Sequence, residues 1–425
     1  MIMKFEIKKY CTPCALFLIL AFCLTLSSCA HTSAVKSSPK ITYQSYIDFF
    51  EKVYKTMEDN YYQPVSRDVY EGFIQKFTTK IYGELKDQGK SIDFIRWRSS
   101  ASLMDNLKSP EDIFSAFYPP EPAKEYEQTA LGKRVDLGVE GKLTPEGYLI
   151  ALVEPRSDAY QQGLRDNDIL LRIDQSNIKD LDEQEINELL NPLENAAVSI
   201  HFWDAEEGGE KNIQVVSKEY FKQTVFMMPI NIPSIYGLEI RRFNRMTAED
   251  LFRFLKFFKE NGVVRGLILD LRNNPGGPPL AAREIASFFL PGGEDFAYFQ
   301  KKGQPKSMLD VPNLPEEFRV KCPMVILVNK ESGSASELFS GVLQRRGRAI
   351  LMGTNSAGQV MLKSMFPMND QSMMLLVTAR GHHPDGGVFS FDGLTPDRFV
   401  SDGEQDKILE YATKYLVYVH MSQTR

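Results

Sequence analysis

Met324-Val325-Ile326-Leu327-Val328-Asn329-Lys330-Glu331-Ser332-Gly333-Ser334-Ala335-Ser336-Glu337 is an apolar run, then a polar turn, then a helix start. The run predicts a buried strand over 324–329, and the helix begins at about Ala335. A second unit of the same kind lies upstream. Val264–Leu271 reads as a buried strand, Arg272-Asn273-Asn274-Pro275-Gly276-Gly277 as a Gly-rich turn, and a helix follows from about Leu280. A helix carrying Leu251, Phe254, Leu255 and Phe258 on one face precedes both units. Strands alternating with helices from about 222 onward argue α/β layering.

Both turns fall at the carboxyl ends of strands, where α/β sheets place their sites. Gly276 and Gly277 allow backbone amides to point into a cleft. Ser334 has two readings. With Glu337 it spells a capping box, S-x-x-E. It is also a serine at the positive end of a helix, where an alkoxide and a developing oxyanion are stabilised.

Upstream, residues 130–218 change character. Strands are expected at Val135–Glu140, Tyr148–Val153, Ile169–Ile173 and Val198–Trp203, with an amphipathic helix from about Asp182 to Leu190. Gly163-Leu164-Arg165-Asp166-Asn167-Asp168-Ile169-Leu170 resembles the A-G-L-x-x-G-D-x-I stretch of bacterial-protease PDZ domains; that resemblance implies a left-handed turn at Asn167, where Asn is the next best residue after Gly. Before this, residues 41–125 read as a small helical domain. Tyr43, Tyr46, Ile47, Phe50, Val53, Tyr54 and Met57 fall at helical spacing, as do Val69, Tyr70, Phe73, Ile74, Phe77 and Ile81. Pro119-Pro120-Glu121-Pro122 breaks the pattern and marks a boundary.

The N-terminus reads as an address. Lys4, Lys8 and Lys9 precede an apolar run, Ala15 to Leu26, too short to span a membrane. Leu26-Ser27-Ser28-Cys29 has the form of a lipobox, so that residues 1–28 form a lipoprotein signal peptide and Cys29 is the lipidated residue. A plain signal peptide with a chance cysteine is the other reading. Residues 29–40 are the tether.

Composition narrows the function. The 425 residues carry 50 Lys+Arg against 56 Asp+Glu, a net charge of −6 without a long basic run, which argues against nucleic acid. Four of the five cysteines precede residue 30, so Cys322 has no disulfide partner in the body of the chain. No metal motif and no nucleotide fingerprint is present, so no cofactor or metal is expected.

Together these pieces resemble the C-terminal processing peptidases, also called tail-specific serine peptidases. The motifs are Phe114-Ser115-Ala116-Phe117-Tyr118-Pro119-Pro120-Glu121, Leu269-Asp270-Leu271-Arg272-Asn273-Asn274-Pro275-Gly276-Gly277, Ser334-Ala335-Ser336-Glu337, Thr378-Ala379-Arg380 and Gly393-Leu394-Thr395-Pro396-Asp397. The resemblance implies a multidomain α/β (α+β) protein: a helical N-terminal domain, a β-sandwich-like PDZ domain with helices, and a ClpP/crotonase-like peptidase core over 222–415. It implies polypeptide substrates with free C-termini and an envelope location, lipid-anchored and facing the periplasm or exterior. In the PDZ domain, Leu137, Gly138 and Val139 would form the carboxylate-binding loop, and Ile186, Leu189 and Leu190 an apolar pocket; a fold without peptide affinity is the alternative.

The same resemblance makes Ser334 the nucleophile, with the Ala335 amide and one from Gly276 or Gly277 as oxyanion donors. The family has its lysine base 25 residues after the serine and a supporting glutamine four residues further on. Here those positions hold Gln359 and Lys363. A glutamine cannot take the proton. Three readings stay open: the pair is exchanged and Lys363 is the base, the chain is an inactive peptide binder, or another base serves. His382 and His383 are the histidines near this part of the sequence, and they read as a turn.

Overall fold

In the computed structural model of the chain, residues 43–301 and 303–423 are described. At the centre is a six-stranded sheet in the order Val225–Met228, Ile235–Ile240, Gly266–Asp270, Met324–Val328, Ile350–Gly353 and Arg398–Phe399. The first pair is antiparallel and the remaining pairs are parallel. Every residue of Gly266–Asp270 and Met324–Val328 is buried, because helices cover both faces. Leu267, Leu269, Ile326 and Val328 point to the helices Thr247–Glu260, Pro279–Ala286 and Ala335–Arg345. Ile268, Val325 and Leu327 point the other way, against Ile408, Ala412 and Leu416 of the C-terminal helix. The period of two along each strand thus divides the core into two layers.

A second, antiparallel sheet contains Met373–His382, paired with Met361–Pro367 and Asp295–Gln300. Ala116–Tyr118 adds to it as a short strand. The helices Tyr43–Asn60, Arg67–Lys76 and Ile92–Leu107 pack on an aromatic core, and that core continues into Met361, Met374, Leu376 and Val377. The helical region therefore shares its interior with the second sheet. Pro119-Pro120 does not open a linker. It starts a helix, Pro120–Leu131, because proline fits the first helical turn, where its missing N–H has no partner to lose.

In chain order a third sheet follows the helical region, with strands in the order Val139–Thr144, Gly147–Val153, Ile169–Ile173, Ala197–Asp204 and Gly209–Val216. Val139–Thr144 is an edge strand. The stretch expected as one strand, 135–140, is broken at Leu137-Gly138. Gly138 has φ 74°, and Lys133–Asp136 pairs instead with Lys218–Phe221. Asn167 adopts φ 74°, the left-handed turn its identity suggested. The helix Glu183–Leu190 is closed by a capping box between Asp182 and Glu185.

Candidate active site

Ser334 stands between a buried parallel strand and the helix Ala335–Arg345 with φ 55° and ψ −112°. For a residue with a Cβ this is a sparsely populated conformation, costing on the order of 1–3 kcal/mol. A strand-to-helix turn of this kind lifts a side chain out of the packed layers. The flanking residues hold it there. Ser332 Oγ donates to Leu271 O at 2.7 Å, Gly333 N–H to Asn274 O at 2.9 Å, and Ser336 Oγ to Asn274 O at 2.9 Å. The two turns at the strand ends are thereby tied together. Ser332 and Ser336 are fully buried and Ser334 is only half-buried.

Gly276 and Gly277 close over this turn. A Cβ on Gly276 would lie 2.5 Å from Gly333 O and 2.7 Å from Ala335 N, and one on Gly277 would lie 2.0 Å from Phe243 O. Both positions also have positive φ, 94° and 154°, so no other residue fits. The Gly276 N–H is already spent on Asn274 Oδ1, at 2.9 Å. Among the described residues no hydrogen bond occupies the Gly277 and Ala335 amides. Of the two glycines, Gly277 is the one with a free donor.

Glu337 forms its half of the capping box by accepting the Ser334 N–H at 2.9 Å, and it also does more. Its buried carboxylate accepts from Ser356 Oγ at 2.6 Å, Gly358 N–H at 2.6 Å and Gln359 N–H at 2.7 Å. Burial pushes its pKa up, against the lowering effect of these four donors. One carboxylate thus joins the serine turn to the 356–359 loop. Gln359 Oε1 lies 3.6 Å from where a Cβ on Gly333 would sit, so Gln359 is brought to the Ser334 turn.

Lys363 is placed differently. Its ammonium lies 5.1 Å from the centre of the Phe114 ring. A register shift between Leu362 and Lys363 interrupts the ladder to Met373–His382 at this point. Burial first, and the nearby Arg242 charge second, hold the lysine pKa below its ordinary value, with Asp112 opposing them. No hydrogen bond joins Lys363 to Ser334 or to Gln359 among the described residues. His382 stacks on Tyr298 at 4.7 Å and His383 on Phe389 at 3.8 Å. Burial lowers the His383 pKa to about 4. Neither histidine bonds to Ser334.

The edge strand Val139–Thr144 and the helix Glu183–Leu190 bound a groove of about 700 Å³. Val139 and Leu190 line it, while Leu137 is buried in the core below. Ile186 is fully buried and Leu189 packs against the same core, and neither lines this groove. The helix presents Gln184, Asn187, Glu188 and Asn191 to the groove instead. Helical periodicity explains the exchange: Ile186, Leu189 and Leu190 share the inward face, and the spacing of the four polar residues puts them on the adjoining one. Nothing in the composition of the helix told which of its faces meets a ligand.

Cys29 lies outside the described residues. Among the described residues no helix is long and apolar enough to cross a membrane, and no group of His, Cys, Asp and Glu could hold a metal ion.

Residues 235–400 match peptidase family S41. A carboxy-terminal-processing protease of Bartonella bacilliformis is 26% identical over 83% of this chain and 79% of its own. A carboxyl-terminal-processing protease of Synechocystis sp. is 26% identical over 72% of this chain and 71% of its own. Among solved structures, the tricorn protease superposes with a TM-score of 0.55 at 14% identity, covering 89% of this chain and 37% of that one. That last likeness concerns the fold alone.

Proposed function

From the premise that this chain belongs to the C-terminal processing peptidases of family S41, we propose a serine endopeptidase that cuts unfolded or C-terminally tailed proteins, with Ser334 as nucleophile. The observation that carries the reading is the strained Ser334 turn at a helix N-terminus, packed against the Gly276-Gly277 turn, with the Gly277 and Ala335 amides unoccupied among the described residues. The tetrahedral oxyanion formed by attack of Ser334 Oγ is met by the Gly277 and Ala335 N–H groups. Donors of this kind contribute roughly 10²–10³ in rate each. Lys363 is the base, moving from the Phe114 ring to take the serine proton, and Gln359 orients it. Catalytic contacts of this kind often tighten only once substrate is bound.

The third sheet, over 130–218, acts as a PDZ-type module. Its free edge strand and facing helix are the elements that strand addition of a peptide requires. Residues 41–125 and 222–415 are the helical and peptidase domains. Cys29 carries lipid and tethers the enzyme in the bacterial envelope. Replacing Cys29 with Ser is expected to move the protein from the membrane fraction to the soluble one, or to block its maturation; unchanged fractionation refutes the anchor.

A second reading, an inactive peptide-binding lipoprotein, is favoured by the missing hydrogen bond between Lys363 and Ser334. Reduced casein separates the two. The peptidase is expected to fragment it at neutral to alkaline pH. Intact casein across that whole range leaves only the binding role.

A further inference from the structure

We propose that Asp136 fills the end-binding loop of the peptide groove as a built-in carboxylate, so that the groove grips an extended polar segment and not a chain terminus. This rests on the peptide-binding reading of the third sheet. A terminal carboxylate would be held by the amides of the Leu137-Gly138-Val139 loop, and the first two of them are taken. The Leu137 N–H donates to Leu190 O at 3.1 Å, and the Gly138 N–H to Asp136 Oδ1 at 2.7 Å.

Asp136 is fixed from a second direction. Tyr220, on the strand paired with Lys133–Asp136, donates its hydroxyl to the same Oδ1 at 2.5 Å. Burial and the Asp136 charge both keep that phenol protonated, as a donor must be. The loop has little freedom to open. A Cβ on Gly138 would lie 2.3 Å from Ser157 Cβ, and Gly138 O accepts the Glu154 N–H at 2.8 Å.

Asp136 and Tyr220 both line the groove, so an incoming carboxylate meets a fixed negative charge on the Gly138 amide, the central donor of the loop. The rest of the groove stays open. Its edge strand, Val139–Thr144, is free to pair, and its helical wall offers Gln184, Asn187, Glu188 and Asn191 to polar side chains. A peptide without a terminal carboxylate loses nothing by Asp136 being there. Asp136 thereby sets what the groove accepts: an internal stretch of an unfolded protein, or a tail gripped above its end.

The test uses the full chain carrying Ser334→Ala, immobilised, so that bound peptides are not cut. The probe is a decapeptide pool randomised at every position, supplied as free acids and as C-terminal amides. With Asp136 in place, the two forms are expected to be retained within about twofold of each other. With Asp136→Ala, free acids are expected to gain about tenfold over amides. Asp136→Asn keeps an oxygen for the Gly138 N–H and removes the charge, so its gain should be smaller; unchanged melting temperatures show that both variants fold. A free-acid preference of tenfold or more with Asp136 present overturns the proposal, as does no gain in either variant. No retention of either form by any of these chains overturns the peptide-binding reading itself.

Discussion

Replacing Ser334 with Ala should lower the hydrolysis rate by on the order of 10⁵-fold and leave peptide binding unchanged, as expected for loss of a nucleophile within a unit of coupled groups. A single-turnover assay on reduced casein measures it. Ser334→Gly separates catalysis from architecture. At φ 55° and ψ −112° a glycine pays little of the strain that serine bears, so this variant should be as inactive and more stable, by about 1 kcal/mol. Thermal melts of the three chains check the order Gly above Ser, with Ala no more stable than Ser. A Gly variant that melts lower than the wild type would show that the Ser334 side chain holds the turn together. The Glu337 bond to the residue-334 N–H survives both substitutions, so the 356–359 loop should stay docked in either.

The two strand–turn–helix units were legible because a parallel strand between helix layers is apolar along its buried length, and 266–269 and 324–328 are. The structure then sorts their alternate residues into the two layers. The strain at Ser334 was not legible. Ser-Ala-Ser-Glu spells an ordinary cap equally well, and only the tertiary bonds of Ser332, Gly333 and Ser336 force the unusual backbone. The free amides at the Ser334 turn were half legible. Two adjacent glycines announced a close approach, but not that Asn274 Oδ1 would claim the Gly276 amide. On the Glu183–Leu190 helix the apolar residues were found and their direction was not, since period marks a buried face without saying what lies beyond it. Asp136 was not legible for a related reason: its partner Tyr220 is remote in sequence and reaches it through the pairing of Lys133–Asp136 with Lys218–Phe221, a stretch in which the sequence shows no strand signal.

Lys363→Met should cut kcat/KM by roughly 10²–10⁴, the contribution of a positioned base, while Gln359→Ala lowers it less. The fold gives this lysine the qualities a base needs and a structural lysine lacks: burial under Phe114, the like charge of Arg242 nearby outweighing Asp112, and no ion-pair partner among the described residues. In the wild type, kcat/KM should rise with pH to a plateau, with a midpoint below the ordinary lysine value of 10.5, because the neutral amine is the reactive form. Removing the like charge with Arg242→Met should move that midpoint up. Stability should change in the opposite sense to activity. A lysine whose folded pKa is depressed resists protonation in the native state, so its penalty grows as pH falls through the unfolded pKa and is complete below the folded one. Lys363→Met removes that penalty and should melt higher than the wild type at neutral pH, and no higher above both pKa values. Loss of activity together with a gain in stability marks a base held at a cost to the fold. A variant that keeps full activity assigns the proton to another group, and one that loses both activity and stability makes Lys363 a structural member of the Phe114 contact.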